Sequence, residues 1–294
     1  MRREYRGLGT ALVTPFRDGK VDYDAFRALV RRQVEAGVDF LVPLGSTAET
    51  PCLEDEEKVN ILKITKEESN GLPIVAGVGS NSPAATIRNM RLLDPFGADA
   101  YLVVVPFYNK PEQEGIYQYF KTIAEATDRD VILYNVPGRT GVNLLPETVM
   151  RIYEAHPDKI VGIKEASGNI EQIKKLIQLS NTPSLEGRDG EGFPPLLVIS
   201  GDDGIACEVM EAGGAGLISV ASNAFPEDFW HIVHDKDRAL QTKYDEMVKL
   251  LFAEGNPVGI KAVLTQKGII QNYLRLPLVP ASEELEEKIK KELA

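Results

Sequence analysis

The sequence predicts an α/β protein, a (β/α)8 TIM barrel carrying a small helical C-terminal appendage. Three observations predict it. Eight short apolar runs recur along the chain, most intervals between them are helical in pattern, and the first run ends without a glycine-rich turn. The runs are Leu8–Phe16, Phe40–Gly45, Pro73–Gly79, Ala100–Pro106, Val131–Pro137, Ile160–Ala166, Leu196–Asp202 and Gly216–Asn223. They are continuously apolar and rich in β-branched residues, as expected of strands buried on both faces. Successive starts lie about 20 to 36 residues apart, the length of one β–α unit, and such units close at eight. A doubly wound open sheet is the alternative. It would place G-x-G-x-x-G after its first strand, where this chain has Thr14-Pro15-Phe16.

The intervals follow in order. Tyr23 to Ala36 carries apolar residues at helical spacing and is closed by Gly37. Pro111-Glu-Gln-Glu stands before one later helix, and Pro146-Glu-Thr opens another with proline at its first turn. Thr182 to Pro195 is rich in glycine, proline and charge and has no periodicity. It joins the sixth helix to the seventh strand, on the face opposite a barrel's active site, and is read as a surface loop. Helical stretches near Lys236–Glu254, Val258–Ile270 and Ser282–Leu293 exceed the single helix that completes the barrel. The expected division is therefore a barrel over 1–235 and a helical extension packed on it over 236–294.

The chain has 44 acidic against 33 basic side chains, a net charge of −11, which repels phosphate backbones and anionic lipid. Nucleic acid and membranes are not expected as partners, while small anionic substrates are not excluded. Cys52 and Cys207 form no C-x-x-C pair and read as free thiols of a reducing compartment. The charged N-terminus has no signal-peptide core, and no apolar run reaches the ~18 residues of a membrane span. A cytoplasmic location is expected.

Active sites of barrels form at the C-terminal strand ends, so the residues there carry the functional reading. Lys164 stands in Val161-Gly-Ile-Lys, within an apolar run. Burying an ammonium is costly, so such a lysine is ion-paired with Glu165 or another carboxylate, or is a neutral amine able to form a Schiff base with a ketone. Gly45-Ser46-Thr47-Ala48 offers successive backbone N–H groups suited to a carboxylate, or is an ordinary capped turn. Tyr134 is a phenol within a strand, either packing or reactive. Arg139, in Pro137-Gly-Arg-Thr-Gly, is a planar fork on a tight loop, suited to a carboxylate or simply exposed.

Gly45-Ser-Thr-Ala-Glu, Tyr108-Asn-Lys-Pro, Tyr134-Asn-Val-Pro-Gly-Arg-Thr-Gly, Gly162-Ile-Lys-Glu-Ala, Ser200-Gly-Asp-Asp and Leu276-Pro-Leu-Val-Pro occur in order from Arg6 to the final helix. Together they resemble the dihydrodipicolinate synthase/N-acetylneuraminate lyase family. The resemblance implies a lyase-type synthase in which pyruvate forms a Schiff base with Lys164 and condenses with L-aspartate 4-semialdehyde, in the diaminopimelate and lysine pathway. It implies that Tyr134 transfers protons beside the imine, with Ser46 and Tyr108 as a hydroxyl relay. Thr47 and the Ile218 backbone would bind the pyruvate carboxylate, and Arg139 that of the aldehyde. No metal or diffusible cofactor is implied. Tyr108 would reach a neighbouring subunit, implying a homo-oligomer, commonly a tetramer built as a dimer of dimers.

Two departures bear on this. Ser46 replaces the synthase's usual threonine and matches the neuraminate lyases, while Ala48 replaces a common glycine. The Pro-Gly-Arg-Thr-Gly loop is the synthase's. Lysine-inhibited members carry a histidine or glutamate and a second glutamate where this chain has Lys58 and Ala85, so feedback inhibition by lysine is not expected. The alternatives are another pyruvate-dependent lyase or 2-keto-3-deoxy-sugar-acid aldolase, and a non-catalytic ligand-binding homologue, which would be expected to lose Lys164 or Tyr134. A metal-dependent aldolase would need histidines at strand ends, but His156, His231 and His234 are not there. Lys261, in Asn256-Pro-Val-Gly-Ile-Lys, is read as a helix residue of the appendage.

Overall fold

Eight parallel strands close around a filled interior in the computed structural model, which describes residues 5–181 and 193–294. They are β1 (Gly7–Ala11), β2 (Phe40–Val42), β3 (Val75–Gly77), β4 (Ala100–Val104), β5 (Asp130–Asn135), β6 (Ile160–Glu165), β7 (Leu197–Ser200) and β8 (Gly216–Ser219). Around the barrel they run β2-β1-β8-β7-β6-β5-β4-β3. The ring closes through a parallel bridge between Leu41 and Ile74, flanked by Leu41 N–H to Pro73 O at 2.9 Å and Gly77 N–H to Pro43 O at 3.0 Å. The eight-stranded barrel expected from the apolar runs is present.

Alternation along each strand explains why the runs are apolar throughout. Phe40, Val42, Val75, Leu102, Ile132 and Ile199 fill the interior. Leu8, Leu41, Tyr101, Leu133, Ile163 and Leu217 face outward into the layer of helices. Gly9 leaves room for the Phe40 ring, since a Cβ there would stand 2.2 Å from it.

The helices are α1 (Tyr23–Glu35), α2 (Asp55–Glu68), α3 (Pro83–Leu93), α4 (Gln113–Ala124), α5 (Pro146–Ala155), α6 (Ile170–Ser180), α7 (Ala206–Glu211) and α8 (Pro226–His234). Asp22 caps α1, accepting from Ala25 N–H at 3.1 Å, and Gly37 leaves the helix at a left-handed φ of 80°. Pro146 occupies the first turn of α5 as expected. Pro111 precedes α4, whose N-cap is Glu112, also as expected. At the foot of the barrel His234 meets Asp39 at 2.7 Å, and Asp39 accepts the Leu8 N–H at the same distance.

Beyond the barrel lie α9 (Arg238–Phe252), α10 (Val258–Gln266) and α11 (Glu283–Glu292). Val258 to Leu264 of α10 are all buried, Lys261 among them. The first run is shorter as a strand than its apolarity suggests: β1 stops at Ala11, and Phe16–Arg17 pairs with Lys20–Val21 in a small antiparallel hairpin. Phe16 is apolar because it is buried, with Tyr273 at 6.3 Å between ring centres and the Lys261 amine at 4.3 Å. Most of the loop expected at Thr182–Pro195 lies outside the described residues. Its end, at Pro194, accepts the Tyr153 hydroxyl at 2.7 Å.

Candidate active site

Lys164 and Tyr134 are register partners on β6 and β5. Only 4% of Lys164 is exposed, and its amine lies 4.5 Å from the centre of the Tyr134 ring. Among the described residues no carboxylate is within ion-pair distance of that amine. Glu165, the neighbour considered as its partner, points to the other side of the strand, as the pleat requires. Its buried carboxylate accepts from Asn135 Nδ2 at 3.0 Å, Gln172 Nε2 at 3.1 Å and the Ser167 N–H at 2.8 Å. The ion-pair reading with Glu165 is thereby removed.

The turn after β2 is a one-turn 3-10 helix, Ser46–Ala48, flanked by Leu44 at φ 60° and Glu49 at φ 54°. The left-handed turn at Leu44 drives its carbonyl against β3, where a Cβ on Gly77 would lie 2.0 Å from that oxygen, so only glycine fits. N–H groups in the first turn of a helix lack acceptors within it, which leaves Ser46 and Thr47 amides available to an anion. Ala48 itself is not left-handed, in keeping with the absence of a glycine requirement there. Thr47 is buried, and its Oγ1 accepts from Asn256 Nδ2 at 2.9 Å.

Arg139 sits on a one-turn helix, Pro137–Thr140, rather than an open loop. Its Nη2 donates to the Asn256 backbone carbonyl at 2.9 Å. Ser46, Tyr134 and Arg139 line one cavity of about 420 Å³ at the C-terminal strand ends, together with Val136 and, at a distance along its wall, Lys58. Ile218, on β8, is wholly buried in the barrel interior, register partner of Gly9. Tyr108 stands apart: 88% of it is exposed, on a left-handed backbone at φ 72°. Within one chain the structure thus assembles Lys164, Tyr134, Ser46 and Arg139 around the mouth, sets Thr47 behind the first turn, and leaves Tyr108 outside.

Several residues of the site's frame were not found from sequence. Gly201 admits Lys164, because a Cβ on it would lie 2.8 Å from the lysine Cε. Asp203 is buried and accepts from Ser219 Oγ at 2.5 Å, Val220 N–H at 3.0 Å and Ala221 N–H at 3.3 Å, fixing the end of β8 beside Ile218. Burial pushes its carboxyl up to about 6, against the pull of those donors. Glu49 and Lys261, whose side chains are both 0% exposed, form an ion pair. The Lys261 amine also donates to Tyr273 O at 3.1 Å, and Glu49 accepts the Arg275 N–H at 2.9 Å. Burial pushes Lys261 down to about 8, with Glu49 pulling the other way. Arg275 grips Glu57 at 2.6 and 2.7 Å, and its guanidinium holds that carboxyl below the usual range. The appendage is therefore latched to the loop that carries Ser46 and Thr47. Lys261 is a helix residue, as read, but its partner was legible only as an adjacent glutamate in the motif.

Among the described residues no group of three or more His, Cys, Asp or Glu side chains is placed to hold a metal ion. His231 pairs with Asp235 at 2.6 Å on the outer face of α8, and Trp230 stacks on His234 at 4.3 Å.

Comparison with known proteins agrees with this geometry. The profile of the dihydrodipicolinate synthetase family matches residues 4–294. The 4-hydroxy-tetrahydrodipicolinate synthase of Parabacteroides distasonis is 46% identical, over 98% of this chain and 96% of its own. A solved monomeric variant of dihydrodipicolinate synthase superposes with a TM-score of 0.90 at 41% identity, over 98% of this chain and 96% of its own. The chloride-inhibited dihydrodipicolinate synthase of Acinetobacter baumannii, solved with pyruvate, gives a TM-score of 0.89 at 38% identity, over 98% and 97%. With a full-length profile match, close relatives and a lysine–tyrosine pair at the mouth of the barrel, the chain belongs to the dihydrodipicolinate synthetase family.

Proposed function

We propose that this chain catalyses the 4-hydroxy-tetrahydrodipicolinate synthase reaction, condensing pyruvate with L-aspartate 4-semialdehyde as a lyase-type enzyme of lysine biosynthesis. The observation that carries the reading is the Lys164 amine, buried without a carboxylate partner and set against the Tyr134 ring beside the mouth cavity. Lys164 attacks the ketone of pyruvate, and loss of water gives the imine. Tyr134 carries the protons of that step. Loss of a methyl proton gives the enamine, whose carbon attacks the aldehyde. The amine of the second substrate then adds to the imine carbon and displaces Lys164, so one water leaves and the lysine is regenerated.

Thr47, through its hydroxyl and amide, and the Ile218 backbone bind the pyruvate carboxylate in this scheme. Arg139 binds the carboxylate of the aldehyde, using the donors that Asn256 leaves free. Ser46 passes protons between Tyr134 and the Tyr108 of a neighbouring subunit. The exposure of Tyr108 supports at least a dimer, and we place the assembly at a dimer of dimers, which sedimentation would measure directly. Two free thiols, Cys52 and Cys207, and the absence of a membrane-crossing helix among the described residues are consistent with a cytoplasmic enzyme. Division at 235/236 into barrel and extension is likewise our reading.

The test couples the protein to dihydrodipicolinate reductase and follows NADPH consumption with both substrates, wild type beside Lys164→Ala. Turnover in the wild type and its loss in the variant is the expected result. Wild-type protein that traps pyruvate under borohydride yet shows no turnover would move the assignment to a sister lyase or sugar-acid aldolase, towards which Ser46 points. Failure to trap pyruvate would favour the non-catalytic homologue.

A further inference from the structure

Asn256 lies in the appendage just before α10, more than two hundred residues from the turn it touches, and is 7% exposed. Its two functional ends meet two different parts of the site. Nδ2 donates to Thr47 Oγ1, and the backbone carbonyl receives Arg139 Nη2, both at 2.9 Å. Its Oδ1 is buried and has no hydrogen-bond partner among the described residues.

A threonine hydroxyl has one proton to give and lone pairs with which to accept. When Asn256 donates to Oγ1, the hydroxyl accepts there and keeps its own proton for another acceptor. A carboxylate is the strongest acceptor that a substrate can bring, and a hydrogen bond to a charged group is worth about twice a neutral one. The opposite amide orientation would reverse this, drawing the Thr47 proton onto Oδ1 and leaving the hydroxyl with lone pairs facing the substrate.

We propose that Asn256 is a positioning residue for substrate binding: its side-chain N–H makes Thr47 a donor to the pyruvate carboxylate, while its carbonyl holds the Arg139 fork for the second carboxylate. One residue of the appendage thereby sets the polarity of one anion contact and the place of the other. This rests on the assignment of Thr47 and Arg139 to the two carboxylates. It uses only the side chain for the first task, so substitution separates the tasks: the carbonyl contact to Arg139 survives any change of side chain.

The experiment measures KM for pyruvate and kcat in the coupled assay for wild type, Asn256→Asp, Asn256→Leu, Thr47→Val and the double variant Asn256→Leu/Thr47→Val. Aspartate keeps the shape but has no N–H to give. KM for pyruvate is expected to rise roughly ten-fold in Asn256→Asp and Asn256→Leu, with kcat at saturating pyruvate within about three-fold of wild type. In the Thr47→Val background, Asn256→Leu should add nothing to KM, because the contact it serves is already gone. A purely structural role for Asn256 predicts additive effects and a fall in kcat. Either result, or an unchanged pyruvate KM in Asn256→Asp, overturns the proposal while leaving the reaction assignment intact. A wild-type protein that neither turns over nor traps pyruvate overturns the assignment itself, and this proposal with it.

Discussion

Lys164 and Tyr134 face each other from neighbouring parallel strands, as direct register partners, with the lysine amine 4.5 Å from the centre of the phenol ring. The next pair along, Glu165 and Asn135, is hydrogen-bonded on the opposite face of the sheet at 3.0 Å. A slip of β6 by one residue against β5 would turn Lys164 outward and Glu165 inward while Tyr134 stayed in place, parting the inner pair. The outer hydrogen bonds thus hold the register on which the inner pair depends.

Replacing Tyr134 with phenylalanine keeps the ring that packs beside Lys164 and removes only the hydroxyl. The expected outcome is a fall in kcat on the order of a hundred-fold or more, the usual worth of a positioned proton donor, with an unchanged unfolding midpoint. Steady-state kinetics and urea unfolding of the variant measure the two.

The buried pair of Glu49 and Lys261 gives a stability prediction. Lys261→Met leaves the Glu49 carboxylate buried with only the Arg275 N–H, and breaking such a pair costs about 3–5 kcal/mol. Removing both charges in Glu49→Gln/Lys261→Met should recover a large part of that loss. Urea unfolding of the two variants against wild type reads the difference directly.

Asp203 supplies a pH dependence. Its carboxyl is raised to about 6 by burial in the folded protein, above its unfolded value of about 4. Between those values the folded state binds the extra proton, so the stability that Asp203 contributes is full below the unfolded value and falls as pH rises through about 6. Asp203→Asn should flatten this part of the profile, removing a difference on the order of 2 kcal/mol between pH 4 and pH 7. Thermal unfolding across that range checks it. A variant whose profile matches wild type would show that Asp203 is ionised without strain.

Millimolar L-lysine should leave the rate unchanged. The Lys58 ammonium is engaged by Asp55 at 2.9 Å and lies along the wall of the mouth cavity, and Ala85 offers a methyl group. Neither presents an acceptor to an incoming ammonium. The coupled assay with and without lysine decides the point, and clear inhibition would refute it.

The barrel was legible because a strand buried on both faces writes itself as an unbroken apolar run, and eight such runs leave little choice of architecture. The same signal misled past Ala11, where apolarity records burial and not a continuing strand, Phe16 being covered by Tyr273 and Lys261 of the appendage. Lys164 was conspicuous because a cation interrupts one of those runs. Asn256 was not, because its partners Thr47 and Arg139 lie 209 and 117 positions away and nothing local marks a contact of that range. Gly201 was quoted within a motif, but its reason, the passage of the lysine side chain, appears only when β6 and β7 are laid side by side.

The latch between the appendage and the first turn also has a consequence for the order in which the enzyme is made. Chains emerge from the ribosome N-terminus first, at about 5–20 residues per second. The turn bearing Ser46 and Thr47 is therefore complete long before Asn256, Lys261 and Arg275, which orient and anchor it, have been translated. A nascent barrel can close its ring of strands while that turn still lacks its polar partners. That turn gains its polar partners late in translation, with the helices that follow the last strand.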